Sequence, residues 1–409
     1  MSNNPVKTKY EMGQIAEQQS VENGALESSF QFSASAEKKL VRKIDLRVLP
    51  IMLFAYMMAF LDKQTLNYTS LMGIREDLHL PLRHGIWFCG NSLSLIFGNL
   101  IAVGILQIQH KLQAWQWLFI IFGAVTFLWG VVMLFQLPDS PATASFLTEE
   151  EKLIAAERLK ANKTGSKTST IDQSQILEAF TDVKTWLLAI LILASNIPNG
   201  GFTTFNGLVL QGFGFSTFHT LLLGIPGGVI VFIFVLLSGV ISSKVPNTRC
   251  LVMVACNVIS IVGSALVYAT SSIGSRYAGL LLMGIYSAAM PISMAMISSN
   301  VGGFTKKATV SSIYFIMYCT GNIIGPQLFF EREAPKYQSG FLAIIICLVI
   351  AVADGFAILF YLRWTNVRRD EKGVVETTTL DHQEKPSYSH QIEILDTTDL
   401  KNKEFRYVY

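Results

Sequence analysis

Nine stretches of the chain hold nearly unbroken apolar runs, at residues 46–66, 85–107, 114–137, 185–208, 219–243, 250–270, 276–299, 307–330 and 339–363. Crossing a hydrocarbon core of about 30 Å takes roughly 20 mostly apolar residues in a helix, so each run is expected to be a membrane span. Most are bounded by charges or turn residues. Trp115, Trp117, Trp186 and Trp364 stand near their ends, where indole rings suit the headgroup zone. Polar stretches frame and divide the series. Residues 1–36 are rich in Ser, Gln and Glu, show no cleavable signal peptide, and read as a disordered cytosolic tail, as do the residues from Arg369 onward. Residues 138–184 form a long central loop. Within it Thr148 and Glu151 have the spacing of a capping box, which predicts a short surface helix to about Lys160.

Composition supports a lipid-facing surface. Of 409 residues 51% are hydrophobic and 15% charged, with mean hydropathy +0.42, whereas a soluble domain carries about 25% charged residues. The five cysteines, Cys89, Cys250, Cys256, Cys319 and Cys347, lie in or beside apolar runs without paired spacing, which argues against a disulfide framework or a zinc site. The net charge of +3 carries no nucleic-acid signal.

The placement of the positive charges is more informative than their number. Lys38, Lys39, Arg42, Lys43 and Arg47 precede the first run, and Lys152, Arg158, Lys160, Lys163, Lys167 and Lys184 lie in the central loop. Arg363, Arg368, Arg369 and Lys372 follow the last run. The positive-inside rule puts all three regions in the cytosol, together with the short loops holding Lys244 and Arg249, and Lys306 and Lys307. Six spans between central loop and carboxyl end satisfy this. Three spans between amino end and central loop do not, so the conflict lies between residues 47 and 137.

Several motifs, in order, carry a family resemblance. They are Phe60-Leu61-Asp62-Lys63-Gln64-Thr65-Leu66-Asn67-Tyr68, Gly85-Ile86-Trp87-Phe88, and Leu137-Pro138-Asp139-Ser140-Pro141 with Phe146-Leu147-Thr148-Glu149-Glu150-Glu151. Further on come Ser195-Asn196-Ile197-Pro198-Asn199-Gly200-Gly201 and Gly321-Asn322-Ile323-Ile324-Gly325-Pro326-Gln327. Over about residues 37–370 the chain resembles the allantoate permease-like fungal anion:cation symporters of the major facilitator superfamily. The resemblance implies an all-α integral membrane protein of two six-helix halves joined by a cytosolic loop. Here Leu78-His79-Leu80 runs directly into Pro81-Leu82-Arg83-His84-Gly85, similar to the entry of the fifth helix, so helices two to four are absent. Three missing spans account for the orientation conflict. The expected organisation is a tail at 1–36, a truncated amino-terminal bundle at 37–137, a central loop at 138–184, a complete six-helix bundle at 185–365 and a cytosolic tail at 366–409.

Polar groups inside spans are costly, about 2.5–3.5 kcal/mol for a charged residue, and mark functional or paired positions. Asp62 and Lys63 lie near the end of the first run, where they either bind substrate and couple protons or form a snorkelling, locally paired couple. In the fourth run Asn196, Pro198, Asn199, Gly200 and Gly201 are expected to interrupt the helix at mid-depth, either opening backbone toward a solute or leaving a kink whose amides are met by neighbouring helices. Asn91 and Asn322 are further candidates, with interhelical hydrogen bonding as the alternative. Asp354, inside the last run, reads as a bystander rather than a coupling carboxylate. Gly321 and Gly325 form a small-xxx-small packing pair. No HExxH, GxSxG, Walker A or supported GxGxxG motif points to an enzyme, and no cofactor or metal is implied. The resemblance implies secondary transport of a small organic anion such as allantoate or a related carboxylate, with protons, across what is expected to be the plasma membrane. Lys63 would attract the anion and Asp62, Asn196 and Asn199 would line its site, with Asn91 and Asn322 at its margin. A non-transporting sensor, or an unproductive truncated transporter, is the alternative.

Overall fold

The computed structural model describes residues 80–108, 112–136, 144, 146–152, 171–377 and 397–409. The chain divides into two compact units, one of residues 1–48 and 138–158 and one of 49–137 and 159–409. In the first unit the described residues include the predicted capping box. The Thr148 amide donates to Glu151 Oε2 at 2.9 Å, and the Glu151 amide donates to Thr148 Oγ1 at 3.3 Å. Lys152 pairs with Glu149 at 2.8 Å. The first expected span, 46–66, lies outside the described residues.

The second unit is helical in its described residues apart from connections and the segment 397–409. Its elements are α1 (Leu80–Leu106), α2 (Ala114–Gln136), α3 (Gln173–Thr181), α4 (Val183–Gly212), α5 (Thr217–Lys244), α6 (Arg249–Ala269), α7 (Ile273–Met283), α8 (Ala289–Asn300), α9 (Phe304–Gln327) and α10 (Gln338–Thr377). A 3₁₀ turn, Gly284–Ala288, joins α7 and α8 into one rod, called the bent rod below for its change from α to 3₁₀ geometry. Side chains start the helices where the sequence supplies them. Asp172 accepts from the Ser174 amide, Asp182 from Lys184 and Ser216 from His219, each satisfying an orphan donor of a first turn.

Among the described residues seven helical stretches are long and apolar enough to cross a membrane. The expected span at 307–330 differs in kind. Its helix, α9, has 24 residues, enough in length, but carries Lys306, Lys307, Asn322 and a run of Ser, Thr and Gly. Lys306, Lys307 and Asn322 are buried, Asn322 against α4 and Lys306 against Glu178 and Asp399, whereas Ile316 and Ile323 of the same helix are exposed.

The distribution of apolar surface is that of a chain solvated by lipid. Large apolar side chains stand outward on most helices, among them Phe127, Leu134 and Phe135 of α2, the last 85% exposed. No residue of the Ala114–Phe135 span is buried. Polar groups instead sit inside, with Asn196, Asn257, Ser260, Ser264 and Asn322 all buried.

Packing organises the helices in pairs. α4 lies along α9, α1 along α5, and α6 between α7 and α10, while α10 also touches α4. Three apolar clusters follow from this. One, built on Leu188, Ile192, Met296 and Leu362, occupies the end of the bundle where α4 and α9 begin; another, on Leu210, Met283, Phe329 and Phe341, occupies the other end. The third, on Phe88, Val231, Val235 and Ile285, joins α1 to α5.

The polar stretch expected from Arg369 onward is structured in part. α10 continues to Thr377, and residues 397–409 fold back onto the bundle, with Thr398, Asp399 and Tyr407 buried. Their partners are the beginnings of α4, α6 and α9 and the ends of α8 and α10. All of these helix ends therefore lie at one face, as the charge pattern of the loops required.

Candidate functional site

The α4–α9 crossing is close enough for backbones to touch. A Cβ on Gly200 would lie 2.5 Å from the Asn322 carbonyl oxygen, and one on Gly321 would lie 2.8 Å from Asn196 Cβ. Only glycine lets the two helices meet at this distance, as small-residue packing in membranes requires. The close approach brings three asparagines within reach of one another.

They form a chain of hydrogen bonds. Tyr286 Oη donates to Asn199 Oδ1 at 3.1 Å, Asn199 Nδ2 donates to Asn322 Oδ1 at 2.8 Å, and Asn322 Nδ2 donates to Asn196 Oδ1 at 3.1 Å. The ends are tied to backbone. Asn196 Nδ2 donates to the Ile192 carbonyl at 2.8 Å, and Asn322 Nδ2 also donates to the Tyr318 carbonyl at 2.9 Å. Asn196 and Asn322 are 3% and 8% exposed, while Asn199 is only half-buried. Asn199 has one of its two amide hydrogens committed in this chain and is the less buried of the asparagines, so it is the member placed to offer a donor to a solute.

Two expectations about local structure change here. α4 is not interrupted at Asn196–Gly201; it runs continuously from Val183 to Gly212 with Pro198 inside. Hydroxyls brace the backbone just beyond the proline, Thr203 Oγ1 donating to the Asn199 carbonyl and Thr204 Oγ1 to the Gly200 carbonyl. Such back-bonding bends a helix without breaking it. The distortion falls instead in the bent rod. Pro291 has no amide hydrogen for the carbonyl one turn earlier, at Ser287, and its ring crowds that turn; the preceding segment Gly284–Ala288 tightens into 3₁₀ geometry. Tyr286 belongs to this segment, which directs its hydroxyl to Asn199. A 3₁₀ stretch within a long helix often marks a hinge.

Of the six residues expected to form the site, Asn196, Asn199 and Asn322 are brought together. Asn91 is not joined to them. It is buried on α1, which packs against α5 and α8, and its Oδ1 has no hydrogen-bond partner. Asp62 and Lys63 lie outside the described residues. Asp354 is buried on α10, with one carboxylate oxygen unpartnered. Sequence reasoning missed Tyr286, although Pro291 close behind it was a legible signal. It also missed the inner pair Ser293 and Tyr314, whose hydroxyls lie 2.6 Å apart.

Among the described residues no cluster of His, Cys, Asp and Glu could hold a metal ion. The chemistry available is neutral and polar: amide donors and acceptors and a phenol, held within an apolar bundle. That arrangement can bind and orient a solute, and it offers no nucleophile or general base within the chain of hydrogen bonds.

Known proteins of similar sequence are transporters. An uncharacterized transporter of Schizosaccharomyces pombe is 28% identical over 94% of this chain and 92% of its own length. The allantoate permease of Saccharomyces cerevisiae is 34% identical over 80% of this chain and 61% of its own length. Among solved structures, a proton:xylose symporter superposes with a TM-score of 0.51 at 14% identity, covering 75% of this chain and 66% of that one, a likeness of fold. Residues 64–326 match the Major Facilitator Superfamily profile, and the chain belongs to that superfamily of membrane transporters.

Proposed function

We propose that the protein is a proton-coupled secondary transporter of a small organic anion, allantoate or a related carboxylate nutrient, working at the plasma membrane. The observation that carries this reading is the Tyr286–Asn199–Asn322–Asn196 chain at the crossing of α4 and α9, beside the 3₁₀ turn. A carboxylate is met well by amide and phenol donors in a water-poor site, each hydrogen bond to a charged group contributing about 1.5–3 kcal/mol. Lys63 supplies the attracting charge and Asp62 the exchangeable proton, with Asn91 at the margin. The 34% identity to allantoate permease supports an anionic substrate of that size. The six-helix carboxyl bundle at 185–365 rocks against the shortened amino bundle at 37–137 about this site.

The test is uptake in variants that stay folded. Asn199→Ala removes the half-buried donor and is expected to reduce uptake about tenfold to a hundredfold, with unchanged helical content. Uptake indifferent to Asn199→Ala would remove the site from α4.

A second reading, a membrane sensor or an unproductive truncated transporter, is favoured by a specific observation. The alignment with the S. pombe relative runs over 478 positions but draws on only 94% of the 409 residues here. Roughly ninety positions therefore have no counterpart in this chain, room for about three spans with their connections. Stable, folded protein without uptake of any small carboxylate favours this reading.

A further inference from the structure

The carboxyl-terminal residues 397–409 enter a recess built for a carboxylate. Asp399 is 0% exposed and every acceptor position of its side chain is engaged. Oδ1 accepts from Lys306 Nζ at 2.9 Å and from the Gly302 amide at 3.1 Å. Oδ2 accepts from Lys184 Nζ and from Tyr407 Oη, the latter at 2.7 Å. The lysines are shared with anions of the bundle. Lys306 also meets Glu178 at 2.9 Å and Asp182 at 2.8 Å, and Lys184 meets Asp182 at 3.0 Å. Two lysines thus face two bundle carboxylates and one carried by the tail. Without Asp399, Lys306 keeps Glu178 and Asp182 and Lys184 keeps Asp182, so the recess gives up one carboxylate while its lysines stay paired. What makes the recess a receptor for a negative group is its set of directed donors, two ammonium groups and the Gly302 amide aimed at one carboxylate.

Around that anchor the tail is read by its backbone. Asn300 and Val408 exchange two hydrogen bonds, side-chain amide to carbonyl and amide to side-chain oxygen, both 2.8 Å. Asn366 does the same with Tyr407, at 2.8 and 2.9 Å. The Arg249 amide donates to the Tyr409 carbonyl at 3.2 Å, and Arg369 donates to the Asp399 carbonyl at 2.8 Å and to Tyr407 Oη at 3.1 Å. Thr398 Oγ1 donates to Glu178 Oε2 at 3.0 Å. Tyr407 is buried, with Phe405 and Tyr409 packed beside it against Leu188, Met296 and Leu362.

We infer that residues 397–409 are a detachable strap, a peptide ligand carried by the chain itself, seated in a carboxylate receptor formed by Lys184, Lys306 and the Gly302 amide. The strap fastens the starts of α4, α6 and α9 to the ends of α8 and α10. α4 and α9 are also the helices that cross at the asparagine chain, so a seated strap fixes the ends of both arms of that crossing, and an unseated one frees them. The strap's anchor is polar, and its backbone is held by side chains at one face of the bundle. The strap can therefore leave while the apolar contacts among α4, α8 and α10 persist. The Asp399 carboxyl is held below the ordinary range. Burial alone raises it, and Lys184 and Lys306 more than offset that. The anchor therefore stays charged throughout the physiological range.

The test reads seating directly and needs no transport. A protease site is inserted within residues 384–390 of the full chain, the protein is cut in lipid nanodiscs, and the disc fraction is analysed by mass spectrometry. The wild-type strap fragment is expected to remain with the disc, and to be lost from Asp399→Ala and from Thr398→Glu, which sets a further carboxylate against Glu178. In the uncut chain, hydrogen exchange at Tyr407 and Val408 is expected to be at least about tenfold faster in Asp399→Ala than in wild type. If Asp399→Ala does not fold, Asn300→Ala with Asn366→Ala removes the backbone reading and is expected to release the fragment alike. Wild-type fragment that departs as readily as the variants' overturns the strap. A bundle that loses its helical content whenever the fragment leaves overturns its detachability.

Discussion

Replacing Gly200 with valine is expected to cost about 3 kcal/mol or more of stability, because the new Cβ would fall 2.5 Å from the Asn322 carbonyl oxygen, a backbone atom that no rotamer change can move. The helices α4 and α9 would have to part. Parting them breaks the 2.8 Å bond from Asn199 to Asn322 and the 3.1 Å bond from Asn322 to Asn196. Gly207→Ala is the control on the same helix, since nothing lies within 4 Å of its added carbon. Thermal unfolding in detergent should therefore fall steeply for Gly200→Val and stay level or rise slightly for Gly207→Ala. Equal midpoints for the two would mean that the helices do not meet at this point.

The second large effect is expected at Lys306, 0% exposed and ion-paired with Glu178, Asp182 and Asp399. Lys306→Met fills the same space but leaves Asp182 and Asp399 to Lys184 and takes from Glu178 its lysine partner. Breaking a buried network in this way costs about 3–5 kcal/mol, roughly 10 °C in the unfolding midpoint. The pH dependence should invert as well. In the wild type the depressed Asp399 carboxyl adds stability that is present above its ordinary pKa of about 3.9 and is lost only as the pH falls through the lowered value. In Lys306→Met the Asp399 carboxyl keeps the burial that raises it and loses one of the two lysines that lower it, so it moves up and its charged form destabilises as the pH rises. Between pH 8 and pH 5 the wild-type midpoint should hold steady while that of the variant climbs. A variant midpoint that does not respond to pH would show that Lys184 alone suffices to hold Asp399 charged.

What was legible in the sequence depended on how locally each feature is written. Apolar runs of span length are a one-dimensional signal, and α1, α2, α4, α5, α6, the bent rod and α10 lie where the runs were. The capping box of Thr148 and Glu151 is equally local. α9 was read from the same runs although its composition is polar, because its polar face is spent on α4 rather than on water. The asparagines could be singled out as polar groups in spans, but not the order in which they pair, since Asn199 and Asn322 lie 123 positions apart. Two prolines with the same chemistry had different outcomes. Pro198 sits where Thr203 and Thr204 brace the helix, and α4 stays whole. Pro291 follows a run of small residues, and the helix tightens into a 3₁₀ turn. The strap was the least legible element. Asp399 stands in a polar stretch that resembles any solvated tail, and its partners Lys184 and Lys306 are 215 and 93 positions away. No periodicity reports a bond of that kind.

The superfamily fixes the broad chemistry as membrane transport, and the structure supplies a reason for its polar interior: neutral donors arranged where two glycine-rich helix faces touch. What separates a working symporter from a shortened relative is whether this chain moves solute at all. The most direct measurement is uptake of radiolabelled allantoate by purified protein in sealed vesicles under an inward proton gradient. The transporter account predicts accumulation above the outside concentration, abolished by a protonophore and reduced at least about tenfold in Asn199→Ala. Folded, correctly inserted protein that accumulates neither allantoate nor any other small carboxylate would contradict it.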